Sequence, residues 1–136
     1  TAEELSEEEF FTTRRTGGTI VSPSYTLAHD IIRKRYNPND TNIYLSQASD
    51  GDNWESDNAG VIEELQNSGL LSKLRHMSYA EIGESAGSLY RSYSTHTLMS
   101  VLTSIGSSSK KLSTVTITSP DEVYSAFSKI YKKHTS

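Results

Sequence analysis

The residues of this chain best placed for chemistry are a threonine and an aspartate, each beside a glycine turn. Thr16-Gly17-Gly18-Thr19 puts a hydroxyl on a glycine-bent turn ahead of a helical segment. Farther on, the apolar run Ile43-Tyr44-Leu45-Ser46-Gln47-Ala48 ends in Ser49-Asp50-Gly51-Asp52-Asn53-Trp54. A strand that ends in Asp-Gly presents a carboxylate at its carboxyl end, where open α/β sheets place their ligand sites. Hydroxyl and carboxylate oxygens are the ligands a hard cation such as Mg²⁺ prefers. Thr19 and Asp50 are therefore candidate ligands of one cation, provided that their two loops converge on one crevice. The plain alternative is an ordinary tight turn at Gly17-Gly18 and an N-cap at Asp50.

Other constellations are weaker. Asp50-Gly51-Asp52 could open an EF-hand loop, but that loop wants Asp or Asn at its fifth position and Gly at its sixth. Trp54 and Glu55 stand there instead, which leaves only a looser calcium loop through Asp52, Glu55 and Asp57. Gly83-Glu84-Ser85-Ala86-Gly87 matches G-x-S-x-G between a strand and a helix, the context of a nucleophile elbow. Asp121 or Glu122 and then His134 follow in hydrolase order. Against a serine hydrolase stand the small sheet, the absence of an evident oxyanion loop, and the place of His134 two residues from the chain end. None of His29, His76, His96 and His134 falls in a metal-ligand spacing, so they read as surface or helix-face residues.

Elements must position these residues. Pro23, with Ser22 as its N-cap, opens a helix whose apolar face carries Leu27, Ala28, Ile31 and Ile32. Asn37-Pro38-Asn39-Asp40 turns the chain into a strand over 42–49. Val61, Ile62 and Leu65 mark a second helix, interrupted at Ser68-Gly69 and continued through Leu70, Leu71 and Leu74. Residues 77–83 read as a strand, and Leu98, Val101, Leu102 and Ile105 as a helix. The segment 106–111 reads as a flexible polar loop, and 112–118 as a β-branched strand. Ser119-Pro120-Asp121-Glu122 then starts a last helix, with Val123, Ala126, Phe127, Ile130 and Tyr131 inward. Ahead of all this, the acidic stretch 3–9 reads as a surface loop or short helix pinned by Phe10-Phe11. Alternation of helix and strand predicts an α/β fold, a parallel sheet with helices on both faces.

Composition narrows the field. The chain has 136 residues, enough for one domain with a real core. Its net charge of -4 and pI near 5.5 argue against nucleic acid as the main partner. No apolar run approaches the roughly 20 residues of a membrane span. Lack of Cys excludes disulfides, thiolate zinc sites and a Cys nucleophile. No leader sequence opens the chain, so a cytosolic (cytoplasmic) protein is the default. Thr1-Ala2-Glu3-Glu4-Leu5 does not read as the start of a fold, and three strands are few for a doubly wound sheet. Both features suggest a fragment whose missing part lies at the amino end.

Thr16-Gly17-Gly18-Thr19-Ile20-Val21-Ser22 together with residues 42–54 closely resemble the YeaH/YhbH-type proteins of bacteria and archaea, an uncharacterised group with a von Willebrand factor A-like carboxyl half. The similarity runs through Glu8-Glu9-Phe10-Phe11, Arg35-Tyr36-Asn37-Pro38, Ser78-Tyr79-Ala80-Glu81-Ile82 and Asp121-Glu122-Val123-Tyr124, and so covers nearly the whole chain. The Ser/Thr-rich segment 92–109 departs from it. The resemblance implies that 1–136 is the carboxyl-terminal portion of such a Rossmann-like, three-layer domain, with strands equivalent to its fourth, fifth and sixth. It also implies a metal-ion-dependent adhesion site (MIDAS). In that site Thr19 matches the threonine of the second loop and Asp50 the aspartate of the third, while the D-x-S-x-S loop is absent from this sequence. Asp52, Asn53 and Trp54 would form the rim that touches a protein partner. A partner carboxylate would bind Mg²⁺ there, weakly or not at all in this piece alone. Family company implies cytosolic stress responses or sporulation, with a PrkA-type serine kinase or a SpoVR-type protein as associates. A sheet lacking its upstream strands would also expose strand 42–49 as an edge open to homodimer formation.

Overall fold

The computed structural model describes residues 2–12, 21–49, 55–83 and 97–135. In chain order the elements are α1 (Glu7–Thr12), α2 (Ser22–Arg35), β1 (Tyr44–Ser49), α3 (Asn58–Ile62), α4 (Leu70–Lys73), β2 (His76–Ile82), α5 (Leu98–Ser108), β3 (Leu112–Ile117) and α6 (Val123–Thr135). The strands form a parallel sheet in the order β1-β2-β3, with Ser46 opposite Ser78 and Ser78 opposite Ser113. Parallel neighbours cannot be joined by a hairpin and need a crossover long enough for a helix. Both crossovers supply one, and the α/β reading holds.

Alternation along the strands sorts the two faces. Leu45, Met77, Tyr79 and Leu112 turn to one face and pack with Tyr25 and Ile32 of α2, Val61, Leu65, Leu70, Leu71, Leu74, and Leu98, Leu102 and Ile105 of α5. This is the main core. Ala80, Val115 and Ile117 turn to the other face, where Ala126 and Ile130 of α6 cover them. The stripe of α6 is wider than the surface it covers: Val123 and Phe127 stay partly exposed. Tyr44, Ser46 and Ala48 of β1 lie on this second face and are exposed as well.

Local physics explains most element ends. Ser6 and Glu9 form a reciprocal capping box ahead of α1, Ser6 N–H donating to Glu9 and Glu9 N–H to the Ser6 hydroxyl. Phe11 is 76% exposed, so it does not pin this segment; the Arg35 guanidinium, paired with both Glu4 oxygens at 2.6 and 2.8 Å, ties it to α2. Gly69 stops the helix after α3 with φ +88, a backbone that favours glycine, and α4 begins at the next residue. Ser119 makes no side-chain cap. Glu122 instead accepts from the Thr118 N–H and hydroxyl at 2.8 and 2.7 Å, which holds its carboxyl below the usual range.

The segment 106–111 is not a flexible loop. α5 runs on through Ser108, and the chain turns into β3 at Ser109–Lys111. Gly106 allows this: a Cβ there would sit 2.8 Å from the Leu112 carbonyl oxygen, backbone that cannot swing away. Gly106→Ala should therefore lower stability by about 1–2 kcal/mol, overpacking outweighing the gain in helix propensity. A urea midpoint at or above that of the parent would show that the helix can shift off β3.

Candidate functional site at the carboxyl end of the sheet

The first turn of α2 is capped by a side chain from another element. Asp57 ends the 3₁₀ turn Glu55–Asp57, and its carboxylate accepts from the Val21 N–H at 3.0 Å, the Ser22 N–H at 2.9 Å and the Ser22 hydroxyl at 2.5 Å. The helix starts at Ser22 with Pro23 in its first turn, but Ser22 is not its own cap; its hydroxyl is turned to Asp57. Three donors offset the cost of burying this carboxylate, which is 9% exposed. Gly60 lets α3 come close: a Cβ there would meet the Ser22 hydroxyl oxygen at 3.1 Å.

The staple joins two chain ends that matter. The segment carrying Thr19 arrives at Val21. The segment carrying Asp50 leaves β1 after Ser49 and returns at Glu55, two residues before Asp57. Thr19, Asp50, Asp52, Asn53 and Trp54 themselves lie outside the described residues, as does Ser85. The described residues that flank the two candidate loops, Val21 on one side and Glu55–Asp57 on the other, are joined by these hydrogen bonds.

A buried polar layer underlies the carboxyl end of the sheet. The Tyr25 hydroxyl donates to Gln47 Oε1 at 2.5 Å, and burial pushes the Tyr25 phenol far above its ordinary pKa, so it stays a neutral donor. Glu81, next to last in β2 and in register with Ser49, is 1% exposed and receives the Tyr79 hydroxyl at 3.4 Å. Glu81 carried a legible signal: alternation in Met77-Ser78-Tyr79-Ala80-Glu81 puts it on the core face with Met77 and Tyr79. Asp57 carried none, because its partners lie 35 and 36 residues away.

Among the described residues no three His, Asp or Glu side chains gather as a metal site. Asp57 accepts from three donors, while Asp52 of the looser calcium loop and the candidate ligands Thr19 and Asp50 lie outside the described residues. Glu122 accepts from Thr118, and the His134 side chain lies outside the described residues. Of the histidines, His29 lies on a helix face, the buried side of α2, whereas His76, buried in β2, is neither a surface nor a helix-face residue; His96, like the His134 side chain, lies outside the described residues. An open groove of about 270 Å³ between Ile62 and Gln66 on one side and Ser100, Ser104 and Ser108 on the other has no titratable group in its lining. Among the described residues no helix is long and apolar enough to cross a membrane.

Residues 1–134 match the family model described as Protein of unknown function (DUF444). The UPF0229 protein of Chromohalobacter salexigens is 38% identical over 133 residues, 97% of this chain and 29% of that protein. The UPF0229 protein of Pectobacterium atrosepticum is 36% identical over 135 residues, 98% of this chain and 30% of that protein. Identity to the Psychromonas ingrahamii UPF0229 protein rises to 51% over 88 residues, 65% of this chain and 20% of that protein. The chain thus spans 29–30% of the length of the first two of these relatives. No solved structure matches it.

Proposed function

We propose, from the premise that this chain belongs to the DUF444 family of proteins of unknown function, that it is part of a von Willebrand factor A-like module that binds a protein partner with the help of Mg²⁺. In this reading the Thr19 hydroxyl and the Asp50 carboxylate are ligands, and the vacant position takes a carboxylate from the partner. Asp52, Asn53 and Trp54 form the rim the partner touches. The observation that best supports the reading is the Asp57 staple, which ties the chain after Thr19 to the chain after Asp50 at the carboxyl end of a parallel sheet. Glu81 adds a buried carboxylate at the same end. The partner is proposed to be a cytoplasmic protein of the stress or sporulation machinery, a PrkA-type serine kinase or a SpoVR-type protein.

Capture of partners by the intact polypeptide that carries this segment tests the reading. Capture should be lost with a chelator, restored by Mg²⁺, and lost in Asp50→Ala. Capture indifferent to both changes would sink it. The sequence of 136 residues holds no D-x-S-x-S run, and Mg²⁺ dehydrates reluctantly. Titrated alone, the chain should therefore show weak Mg²⁺ binding or none by calorimetry. Tight binding abolished by Asp50→Ala would mean that the segment holds a complete site. The rival reading, a serine hydrolase, requires Ser85 to react with a fluorophosphonate probe and Ser85→Ala to abolish that labelling.

A further inference from the structure

Away from the carboxyl end of the sheet, three helical segments bring together a carboxylate, an imidazole and an amine. His29 of α2 is 2% exposed. Its Nδ1 lies 3.0 Å from Glu64 Oε1 and its Nε2 lies 2.7 Å from Lys73 Nζ, at the end of α4. An ammonium has only protons to give, so Nε2 accepts from Lys73 and the Nδ1–H donates to Glu64. The chemistry of the neighbours fixes the tautomer. Glu64 Oε2 accepts the Thr26 hydroxyl at 3.2 Å, which holds the carboxylate in place. Glu64 stands in the π-helical turn Glu63–Asn67, a rare geometry found disproportionately at functional sites.

A direct ion pair would be the simpler way to neutralise Glu64 and Lys73. Here a neutral ring separates them, which gives up Coulomb attraction and places a proton acceptor on the amine. Nucleophile, base and orienting carboxylate in this order are the arrangement that activates hydroxyl and thiol nucleophiles. Lys73 is only partly buried and can be approached from solvent. We propose that Lys73 is an activated amine and a site of acylation by activated carboxyl donors, acyl phosphates or acyl thioesters.

The step balances without an absent reactant. The part-exposed Lys73 ammonium first gives one proton directly to water. The freed lone pair attacks the carbonyl carbon, forming the N–C bond as the C–O or C–S bond breaks. A second Nζ proton passes to His29 Nε2, 2.7 Å away, and from there to the departing phosphate or thiolate. Glu64 stabilises the transient imidazolium without itself taking a proton. The product is a neutral amide with a single N–H left, which removes the charge from the donor to His29 and weakens the tie of α4 to α2.

The proposal rests on no metal and is independent of the carboxyl-end site. Its test is acetylation of the 136-residue chain by acetyl phosphate, and in a second arm by a small acetyl thioester, with rates per lysine from peptide mass spectrometry near neutral pH. Lys110 and Lys129, both exposed, are the internal references. Other charged groups near the cluster are Asp30, paired with Arg33 and Lys34, and Lys111, whose Nζ donates to the Ser72 carbonyl. Lys73 should react on the order of a hundredfold faster than Lys110 near neutral pH, the low end of general-base effects. His29→Gln keeps an acceptor and a donor but cannot carry a proton, and should bring Lys73 down to the reference rate. Should that variant fold poorly, Glu64→Gln should lower the rate of Lys73 alone while Lys110 and Lys129 are unchanged. Faster labelling in one arm only identifies the donor class. Lys73 labelling no faster than Lys110 in either arm overturns the proposal, since a merely structural amine held by His29 reacts more slowly than a free one.

Discussion

Asp57→Ala is expected to lower the stability of this chain by about 3 kcal/mol, which for its size is a fall of roughly 10 °C in the melting midpoint. The variant leaves the N–H groups of Val21 and Ser22 and the Ser22 hydroxyl without their acceptor at a poorly hydrated site. Bonds to a charged acceptor contribute roughly 1.5–3 kcal/mol each, and water recovers part of that here. Asp57→Asn keeps one oxygen acceptor and should lose about half as much. The effect should also be local. Amides of Val21, Ser22, Ser24 and Tyr25 should exchange faster in the variant, whereas those of β2 should keep their order of protection. The staple acts on function through position. In the intact polypeptide Asp57→Ala should weaken chelator-sensitive partner capture although Asp57 is not a proposed ligand. A melting midpoint within 1–2 °C of the parent (roughly half a kcal/mol) would show that the first turn of α2 needs no cap from Asp57, and the geometric support for joining Thr19 to Asp50 would go with it.

The parts of this fold written in short-range pattern were legible, and those made by distant partners were not. Leu112 to Ile117, with its β-branched Thr114-Val115-Thr116-Ile117, and the alternating Met77 to Ile82 formed strands where the local pattern placed them. Ser68-Gly69 broke the second helix because Gly69 alone takes the left-handed turn cheaply. The inner face of α2 was harder to place. Apolar spacing pointed to Leu27, Ala28, Ile31 and Ile32, whereas the buried residues are Tyr25, His29 and Ile32. Tyr25 and His29 can go inside because Gln47, Glu64 and Lys73 satisfy their polar atoms. Those partners are 22, 35 and 44 residues away, beyond any local window. Gly106 misled for a related reason. A glycine beside serines resembles a linker, yet here it marks the close approach of α5 to the β3 backbone. As to the candidate site, its flanks were readable from Pro23 and the strand before Asp50, while the carboxylate that joins them belonged to neither motif.

The second large effect is expected in the state of association, through the edge of the sheet. Among the described residues β1 has a strand neighbour on one side, β2. Its ladder begins where the Arg75 N–H donates to the Ile43 carbonyl at 2.7 Å. Residues of a strand alternate in direction, so Leu45 and Gln47 point their backbone groups at β2, and Ser46 and Ala48 point theirs outward. Natural edges are guarded by Lys, Pro or a bulge. Tyr44-Leu45-Ser46-Gln47-Ala48-Ser49 contains neither a charge nor a proline, and its Tyr44, Ser46 and Ala48 side chains are exposed on the face that α6 leaves open. We propose that this edge pairs with a second copy, β1 antiparallel to β1 about a twofold axis, the arrangement in which one strand complements itself. Size-exclusion chromatography with light scattering should then show a mass that climbs toward the dimer as concentration is raised. Ser46→Pro removes an outward N–H and adds a ring that blocks a neighbouring strand, at little cost to the bonds with β2, and should hold the chain monomeric. In longer relatives the same edge is available to the remainder of the polypeptide, and such a protein should lose the tendency to dimerise there. A monomer at all concentrations, with the Ser46 and Ala48 amides protected from exchange, would mean that the edge is already covered within this chain.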